Sequence, residues 1–179
     1  RSIWVTGVQT CALPILIQPL ATVREDIVKL LPRLRRFART LTRSAHDADD
    51  IVQIAVERAL LRLDQWRPDA SLHSWLFGIV RNAWIDETRA RGRRERMLAP
   101  EEHGVRVAAP AGADEELWAV QAAMERLPEE QREAIGLVLI EGLSYKEASE
   151  VLDIPVGTLT SRLARGREAL AALLDTSRG

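Results

Sequence analysis

A single cysteine, Cys11, leaves this chain of 179 residues unable to form an intramolecular disulfide or a multi-cysteine zinc site. The histidines, His46, His73 and His103, stand far apart, so no metal-spaced cluster is recognisable, and neither a metal nor a cofactor is expected. A reducing, cytoplasmic home is the default for such a chain. Long apolar runs are missing as well. The best candidate, CALPILIQPL, is broken by Pro14 and Pro19 and falls short of the ~18 to 20 residues that span a bilayer, so membrane insertion is not expected. Excess charge of one sign is also lacking: the formal net charge is -1, which argues against a chain coated in positive charge for nonspecific nucleic-acid binding. No nucleophile-base pairing, phosphate loop or metal spacing is recognisable, and an enzyme is therefore not expected.

What is present is 46% hydrophobic, enough to bury a core in one ordinary domain or two small ones. The near-neutral total hides a segregation. Residues 89–96 read RARGRRER, five arginines against one glutamate, while Glu101, Glu102, Asp114, Glu115 and Glu116 cluster just downstream. Such neighbouring blocks predict a free protein that is compactly paired or self-shielded. The opening RSIWVTGVQTCALPI lacks an initiating methionine and any amphipathic pattern joining it to the rest of the chain. It resembles the translated sequencing-adaptor scars fused to genes assembled from environmental DNA, so residues 1–15 are expected to be a non-native or disordered tail.

From Ala21 onward apolar residues recur at helical spacing, and no alternating segment is bounded by hairpin turns, which predicts an all-α fold. Helices are expected near 23–43, 46–64, 71–91, 114–126, 128–141, 144–152 and 156–174. The segment 93–113, with Pro100, Gly104, Pro110, Gly112 and several alanines, has no periodicity and reads as a flexible linker. Two small helical domains, 21–92 and 114–176, flank it.

In the second of these, SYKEASEVLDIPVGTLTSRLARGREAL begins with Ser144 and Glu147 at the spacing of a reciprocal capping box. Asp153 ends a short helix, and Ile154 and Pro155 make a turn, because proline cannot continue a helix but is well tolerated at the start of the next. The result is helix-turn-helix spacing. At about 100° per residue, Leu159, Leu163, Gly166, Leu170 and Leu174 fall on one side of the second helix. Thr158, Ser161 and Arg165 fall opposite, with Arg162 on the flank. No acid lies between Val156 and Arg167. Arginine can grip guanine edges bidentately while serine and threonine bond bases or phosphates, so this face suits the major groove. Taken alone it equally suits a solvated helix in a bundle; the capped first helix and the proline turn favour DNA.

The order LPEEQREAIGLVLIEGLSYKEASEVLDIPVGTLTSRLARGREAL resembles the minus-thirty-five binding domain of bacterial sigma factors of the extracytoplasmic-function type. The resemblance implies DNA contacts from Thr158, Thr160, Ser161, Arg162 and Arg165. Asp153 stands where glycine is usual, tolerable because aspartate visits the left-handed conformation more easily than most residues. Ser149 replaces a common alanine, and Thr160 occupies a position often held by lysine or arginine.

The first domain carries the same resemblance independently. In HDADDIVQIAVERALLRLDQW, Asp50, Gln53 and Glu57 recur at i, i+3 and i+7 as one narrow polar stripe on an otherwise apolar helix, which predicts a mostly buried helix with a solvent edge. ADDIVQIAVERAL is similar to the sigma-factor helix that docks on the clamp coiled coil of the RNA polymerase largest subunit, and by that resemblance the stripe binds core polymerase. Ile54 sits where the family usually has glutamate. WRPDASLHSWLFGIVRNAWIDETRARGRR resembles the minus-ten recognition segment. Opening duplex DNA requires a pocket for an extruded base and basic side chains for the separated strand. The resemblance places that pocket in the loop 69–74, with Ser71 and His73, and in the turn carrying Trp75 and Asn82. Trp66 and Trp84 are expected in the core. Arg81, Arg89, Arg91, Arg93 and Arg94 would track phosphates, and Gly78 replaces a residue that is often basic.

The expectation is a two-domain sigma factor with core RNA polymerase and promoter DNA as partners, performing no chemistry itself; anti-sigma control is common in the family, which adds an anti-sigma factor as a candidate partner. Two other readings stay open. A helix-turn-helix regulator outside polymerase would leave the polar stripe and the arginine-rich segment unexplained. A non-transcribing decoy for an anti-sigma factor fits the departures at Ile54 and Gly78.

Overall fold

A computed structural model describes residues 20–67, 71–97 and 115–177. The expected tail over 1–15 and most of the expected linker lie outside these residues. Among the described residues the fold is all-α, with no strand: α1 (Leu20–Thr42), α2 (Ala45–Leu61), a short 3-10 turn (Leu63–Gln65), α3 (Leu72–Met97), α4 (Glu115–Arg126), α5 (Glu129–Ile135), a π turn (Gly136–Ile140), α6 (Tyr145–Leu152) and α7 (Val156–Ser177).

Helices α1, α2 and α3 form the first unit. Val23, Ile27, Leu34, Phe37, Ala38 and Leu41 line the inner stripe of α1, and Ala48, Ile51, Val52, Ala55 and Ala59 line that of α2. Phe37 meets Phe77 of α3 edge-on, with ring centroids 5.3 Å apart, a geometry that suits the opposite charges of ring edge and face. Arg43 adopts a left-handed φ of 60° just after α1, and Ser44 caps α2 by accepting from the Asp47 N–H.

Helix α3 begins where expected but runs on past its expected end, and its first turn takes in part of the loop expected over 69–74. Leu72, His73 and Ser74 belong to its first turn rather than to a loop, and it runs on through Arg93 to Met97, so any linker begins later than residue 93. Arginine and glutamate are good helix formers, and Arg96 also donates to the Gly92 carbonyl. The first proline able to interrupt that run is Pro100.

The second unit packs α4, α5, α6 and α7 around Leu127, Ala134, Leu137, Leu152, Leu159 and Leu163. At Gly166, α7 passes close to α5: a Cβ there would lie 2.8 Å from Ile135 Cδ1 and 3.3 Å from Gln131 Cβ. The single helix expected over 128–141 is instead α5 followed by the π turn, in which the Glu141 N–H donates to the Gly136 carbonyl. The widened turn carries Glu141 toward α1.

The two units do not stand apart. Helices α5 and α6 and the π turn lie against α1 and α3, and one continuous set of buried apolar residues runs through both. Gly136 permits the approach, since a Cβ at that position would be 2.9 Å from Thr40 Oγ1 and 3.4 Å from Phe37.

Replacing Gly166 by leucine should overpack the α5–α7 contact and lower stability by about 1–3 kcal/mol. Urea denaturation followed by circular dichroism would read the loss, and an unchanged midpoint would refute so tight a contact.

Candidate nucleic-acid interface

The helix-turn-helix forms as its local chemistry dictates. The Ser144 side chain accepts from the Glu147 N–H, and the Glu147 carboxylate accepts from the Ser144 N–H at 2.9 Å. The Ser144 hydroxyl also donates to Glu147 Oε2 at 2.7 Å, and this bond first, then the one from the Ser144 N–H, holds the Glu147 carboxyl below the usual carboxylate range. Asp153 terminates α6 in the left-handed conformation, φ 52° and ψ 50°, as its position after the last helical residue requires. Ser149 is buried but donates its hydroxyl to the Lys146 carbonyl, which satisfies it.

On α7, Leu159, Leu163 and Gly166 face inward, and Leu170 and Leu173 pack at the edge of the core. Thr160, Ser161 and Arg165 are exposed, and Thr158 is partly so. The Arg165 guanidinium lies back along the helix, donating to the Ser161 carbonyl at 3.3 Å. Thr160 and Ser161 likewise spend their hydroxyl protons on the Val156 and Thr158 carbonyls. Arg162 sits differently. It folds toward α5, pairs with Glu130 at 3.1 Å and keeps only 16% of its side chain exposed, so its nearest anion is a protein carboxylate.

Asp50, Gln53 and Glu57 are exposed along α2, with Gln53 donating to Glu57 at 3.2 Å. The helix is less buried than expected, because Asp49, Leu60 and Leu61 are exposed too. Ile54 is partly buried against the core and floors a groove of about 330 Å³ that the stripe shares with Glu87 and Arg91 of α3. An apolar residue there contributes packing that glutamate could not.

Helix α3 carries the residues of the expected minus-ten segment, and the structure brings most of them to one cleft. Ser71, Trp75, Gly78, Arg81 and Asn82 line a space of about 840 Å³, closed on its far side by Lys146, Glu147 and Glu150 of α6. Residues 68–70 of the expected pocket lie outside the described residues. His73 Nδ1 is hydrogen-bonded to the Ser71 hydroxyl at 2.7 Å, and its Nε2 faces Glu147 at 3.3 Å. Trp84 is a core residue and Trp66 packs partly against the core; Trp75 does so as well, so its ring is only partly available. Nothing lies within 4 Å of a Cβ at Gly78, so the missing side chain leaves open space in the cleft.

The arginines divide into two groups. Arg89 and Arg93 are exposed, with no ion pair among the described residues. Arg81, Arg91 and Arg94 pair with Glu133, Asp47 and Glu87. The Arg81 partner belongs to the second unit. Sequence reasoning expected a compactly paired protein but named none of the partners in this seam. Trp84 Nε1 donates to Glu129 at 2.7 Å, Arg81 Nε to Glu133 at 3.1 Å, and the Ser74 hydroxyl to Glu147 at 3.3 Å. Burial pushes the Glu133 carboxyl above the usual range against the pull of Arg81. Arg33 and Arg36 of α1 clasp Glu141: Arg36 donates through Nε and Nη2 at 2.7 and 3.1 Å, Arg33 through Nε at 3.0 Å. The Glu141 side chain has no exposure at all. Arg132 of α5 donates to the Thr40 and Leu41 carbonyls at the end of α1 and to its own Leu127 carbonyl; burial lowers its pKa. Among the described side chains, the acids that close the seam are on α5 and α6 and at Glu141 just after the π turn; the downstream acidic cluster lies outside the described side chains. Partners 45 to 108 residues apart leave no local signal to find them by.

Comparison with known proteins agrees with this layout. Residues 27–94 match the family sigma-70 region 2, and residues 117–170 match sigma-70 region 4. The chain is 39% identical over 155 residues to the ECF RNA polymerase sigma factor EcfG of Rhodopseudomonas palustris, covering 86% of this chain and 85% of that one. It is 40% identical over 142 residues to the ECF sigma factor SigM of Mycobacterium tuberculosis, covering 79% and 71%. In structure it is similar to the sigma factor RpoE solved with the anti-sigma factor NepR from Bartonella quintana, with a TM-score of 0.73 at 31% identity over 86% of this chain and 97% of that one. It is also similar to CnrH solved with the cytosolic domain of CnrY, with a TM-score of 0.66 at 30% identity over 89% and 91%.

Because the Glu147 pKa is lowered in the fold, its carboxylate adds stability that is complete above the ordinary glutamate pKa and is lost as pH falls through the lower one. Glu147→Gln should therefore flatten the acid limb of a stability-versus-pH curve measured by thermal melting. A variant curve parallel to that of the parent would show that the capping carboxylate contributes nothing to acid sensitivity.

Proposed function

Because the chain belongs to the extracytoplasmic-function sigma factors, we propose that it binds core RNA polymerase and directs promoter-specific initiation through separate minus-ten and minus-thirty-five surfaces. The observation that carries this is the presence of both sigma-70 regions in one chain, in order, over residues 27–94 and 117–170. The matched families are non-catalytic initiation factors, and this chain takes the same role: phosphoryl transfer belongs to the polymerase. Among the described residues no helix is long and apolar enough to cross a membrane, consistent with action on cytoplasmic promoter DNA. The relatives solved with anti-sigma partners support a similar partner here.

The residue roles proposed here are those the family resemblance implies, and the exposure of most of these side chains supports them. Thr158, Thr160, Ser161 and Arg165 present hydroxyls and a guanidinium from the outer face of α7, the recognition helix, to the minus-thirty-five groove. Arg162 contributes from the flank once it leaves Glu130. Ser71, His73, Trp75, Arg81 and Asn82 offer polar and aromatic groups to a separated minus-ten strand, with Arg89 and Arg93 continuing the track along α3. Asp50, Gln53 and Glu57 dock the polymerase. Run-off transcription with purified core enzyme over a randomised promoter library tests the whole assignment: selection of two spaced elements is expected, and no promoter-dependent transcript would defeat it.

Replacing Asp50 and Gln53 together by alanine should weaken core binding while leaving helicity intact, since exposed substitutions usually cost little stability. Co-purification with core enzyme, alongside circular dichroism, would show it; unchanged affinity would remove the stripe from the docking surface.

Arg165→Ala and Arg93→Ala should fail in different ways, because base contacts discriminate sequence and phosphate contacts add affinity everywhere. The first should lose about 1–3 kcal/mol on the preferred minus-thirty-five element and become less selective. The second should weaken all promoters alike and reduce the salt dependence by about one ion. Holoenzyme binding across a panel of minus-thirty-five variants at several salt concentrations separates them. Uniform scaling by Arg165→Ala would make that arginine a phosphate clamp.

A further inference from the structure

On α2 the residues that stay outside the core have a spacing that the polar stripe alone does not account for. Asp47, Asp50, Ile54, Glu57 and Leu61 follow one another at alternating intervals of three and four, the repeat that keeps one edge of a helix turned toward a second helix. At about 100° per residue, Asp50, Ile54, Glu57 and Leu61 fall within roughly 60° of arc. Leu61 is 82% exposed. Ile54, although packed partly against the core, floors the groove between α2 and α3. Acidic and apolar residues thus alternate along the edge, and each kind recurs one heptad later.

We infer that this edge is one half of a two-helix seam, in which Leu61 and Ile54 are apolar knobs and Asp50 and Glu57 set the register. Its occupant is a helix of core polymerase that carries apolar residues and arginines at the same heptad spacing. This rests on the docking role proposed for Asp50, Gln53 and Glu57, and it adds two apolar contact residues and the chemistry of the partner.

Charge selects that occupant. Asp47, Asp50, Glu57 and Glu87 line the groove against a single cation, Arg91, among the described residues. Asp47 is paired with Arg91, and Glu87 with Arg94. Asp50 instead meets the His46 ring at 3.2 Å, and Glu57 meets the neutral amide of Gln53. Among the described residues neither pairs with an arginine or a lysine, so the two acids of the seam keep capacity for a guanidinium from outside. A second copy of this chain would set acid against acid. An arginine brings an aliphatic stem that can lie on Ile54 while its head reaches Asp50 or Glu57.

Ile54 then decides how docking responds to salt. A glutamate there would give the seam three carboxylates over about two turns, and the affinity would come from charge, which salt screens. With isoleucine the seam has two, and burial of Ile54 and Leu61 supplies a share that screening does not remove.

Leu61 gives the cleaner test, because its side chain lies in water and shortening it costs the fold little. Affinity of the full-length chain for purified core RNA polymerase is measured at several sodium chloride concentrations, with thermal melting alongside. Leu61→Ala should weaken binding about tenfold, by the same factor at every salt concentration and with unchanged melting. Asp50→Asn combined with Glu57→Gln should weaken binding most at low salt and flatten its salt dependence. Ile54→Glu should steepen that dependence and bind less tightly than the parent at high salt, whereas Ile54→Met should keep the parent's slope. Unchanged affinity for Leu61→Ala, or a loss that vanishes as salt rises, would overturn the inference. If the Asp50→Asn, Glu57→Gln pair also binds core enzyme as the parent does, the docking role of α2 falls with it; if that pair weakens binding and Leu61→Ala does not, the apolar half of the seam alone is wrong. Sedimentation of the free chain tests the rival occupant: a dimer that Leu61→Ala dissociates would give this edge to a second copy and overturn the assignment to polymerase.

Discussion

The arrangement of this molecule turns on one carboxylate. Glu141 is buried without solvent exposure, between two arginines that belong to a helix more than a hundred residues earlier in the chain. Desolvating a carboxylate costs several kcal/mol, a cost offset only when the counter-charges are close and well aligned. Arg36 provides the alignment with a forked pair of bonds and Arg33 adds a third. The π turn is what delivers Glu141 to that point, and Gly136 is what lets the turn approach α1 closely enough.

That constraint explains why so many polar groups on α3 have partners from the second unit. With α5 and the π turn against α1 and α6 against α3, Glu129, Glu133 and Glu147 meet the indole, guanidinium and hydroxyl groups of α3. Glu147 serves twice, closing the capping box of α6 with Ser144 and accepting from Ser74 across the seam. A residue required for the local start of a helix is thereby also part of a long-range contact. Ile54 shows the same economy on the far side of the first unit, where its side chain joins the core while its neighbours Gln53 and Glu57 remain in water.

The departures from the family pattern acquire physical content in the same way. Asp153 holds the left-handed backbone that ends α6, a conformation aspartate tolerates better than most residues. Ser149 buries a hydroxyl and satisfies it on the preceding turn. Gly78 leaves open space in the cleft between α3 and α6, so the side chain it lacks would have projected into the region the promoter strand is proposed to enter.

The sequence by itself determined the parts of this protein governed by neighbours in the chain. Helical periodicity, the Ser144 and Glu147 cap, the break at Asp153 and Pro155, and the inward set of Leu159, Leu163 and Gly166 on α7 all depend on spacings of three or four residues, which the chain displays directly. The polar stripe on α2 was legible for the same reason, although the additional exposure of Leu60 and Leu61 was not. The reach of α3 to Met97 was obscured because the segment after Arg91 has no apolar periodicity, although its arginines and glutamate favour a helix and only Gly92 does not. Only the tertiary structure decided the seam. Arg33, Arg36, Arg132 and Glu141 look like ordinary surface charges in sequence, because nothing local distinguishes an arginine in water from one that clasps a buried carboxylate 105 residues away. The contact of Arg162 with Glu130, between α5 and α7 within the second unit, was equally hidden, and the placement of Arg81 on Glu133 belongs to the seam itself. Such pairings depend on how two separately patterned units meet, and that meeting is set by shape at Gly136 and charge at Glu141, neither of which has a periodicity to read.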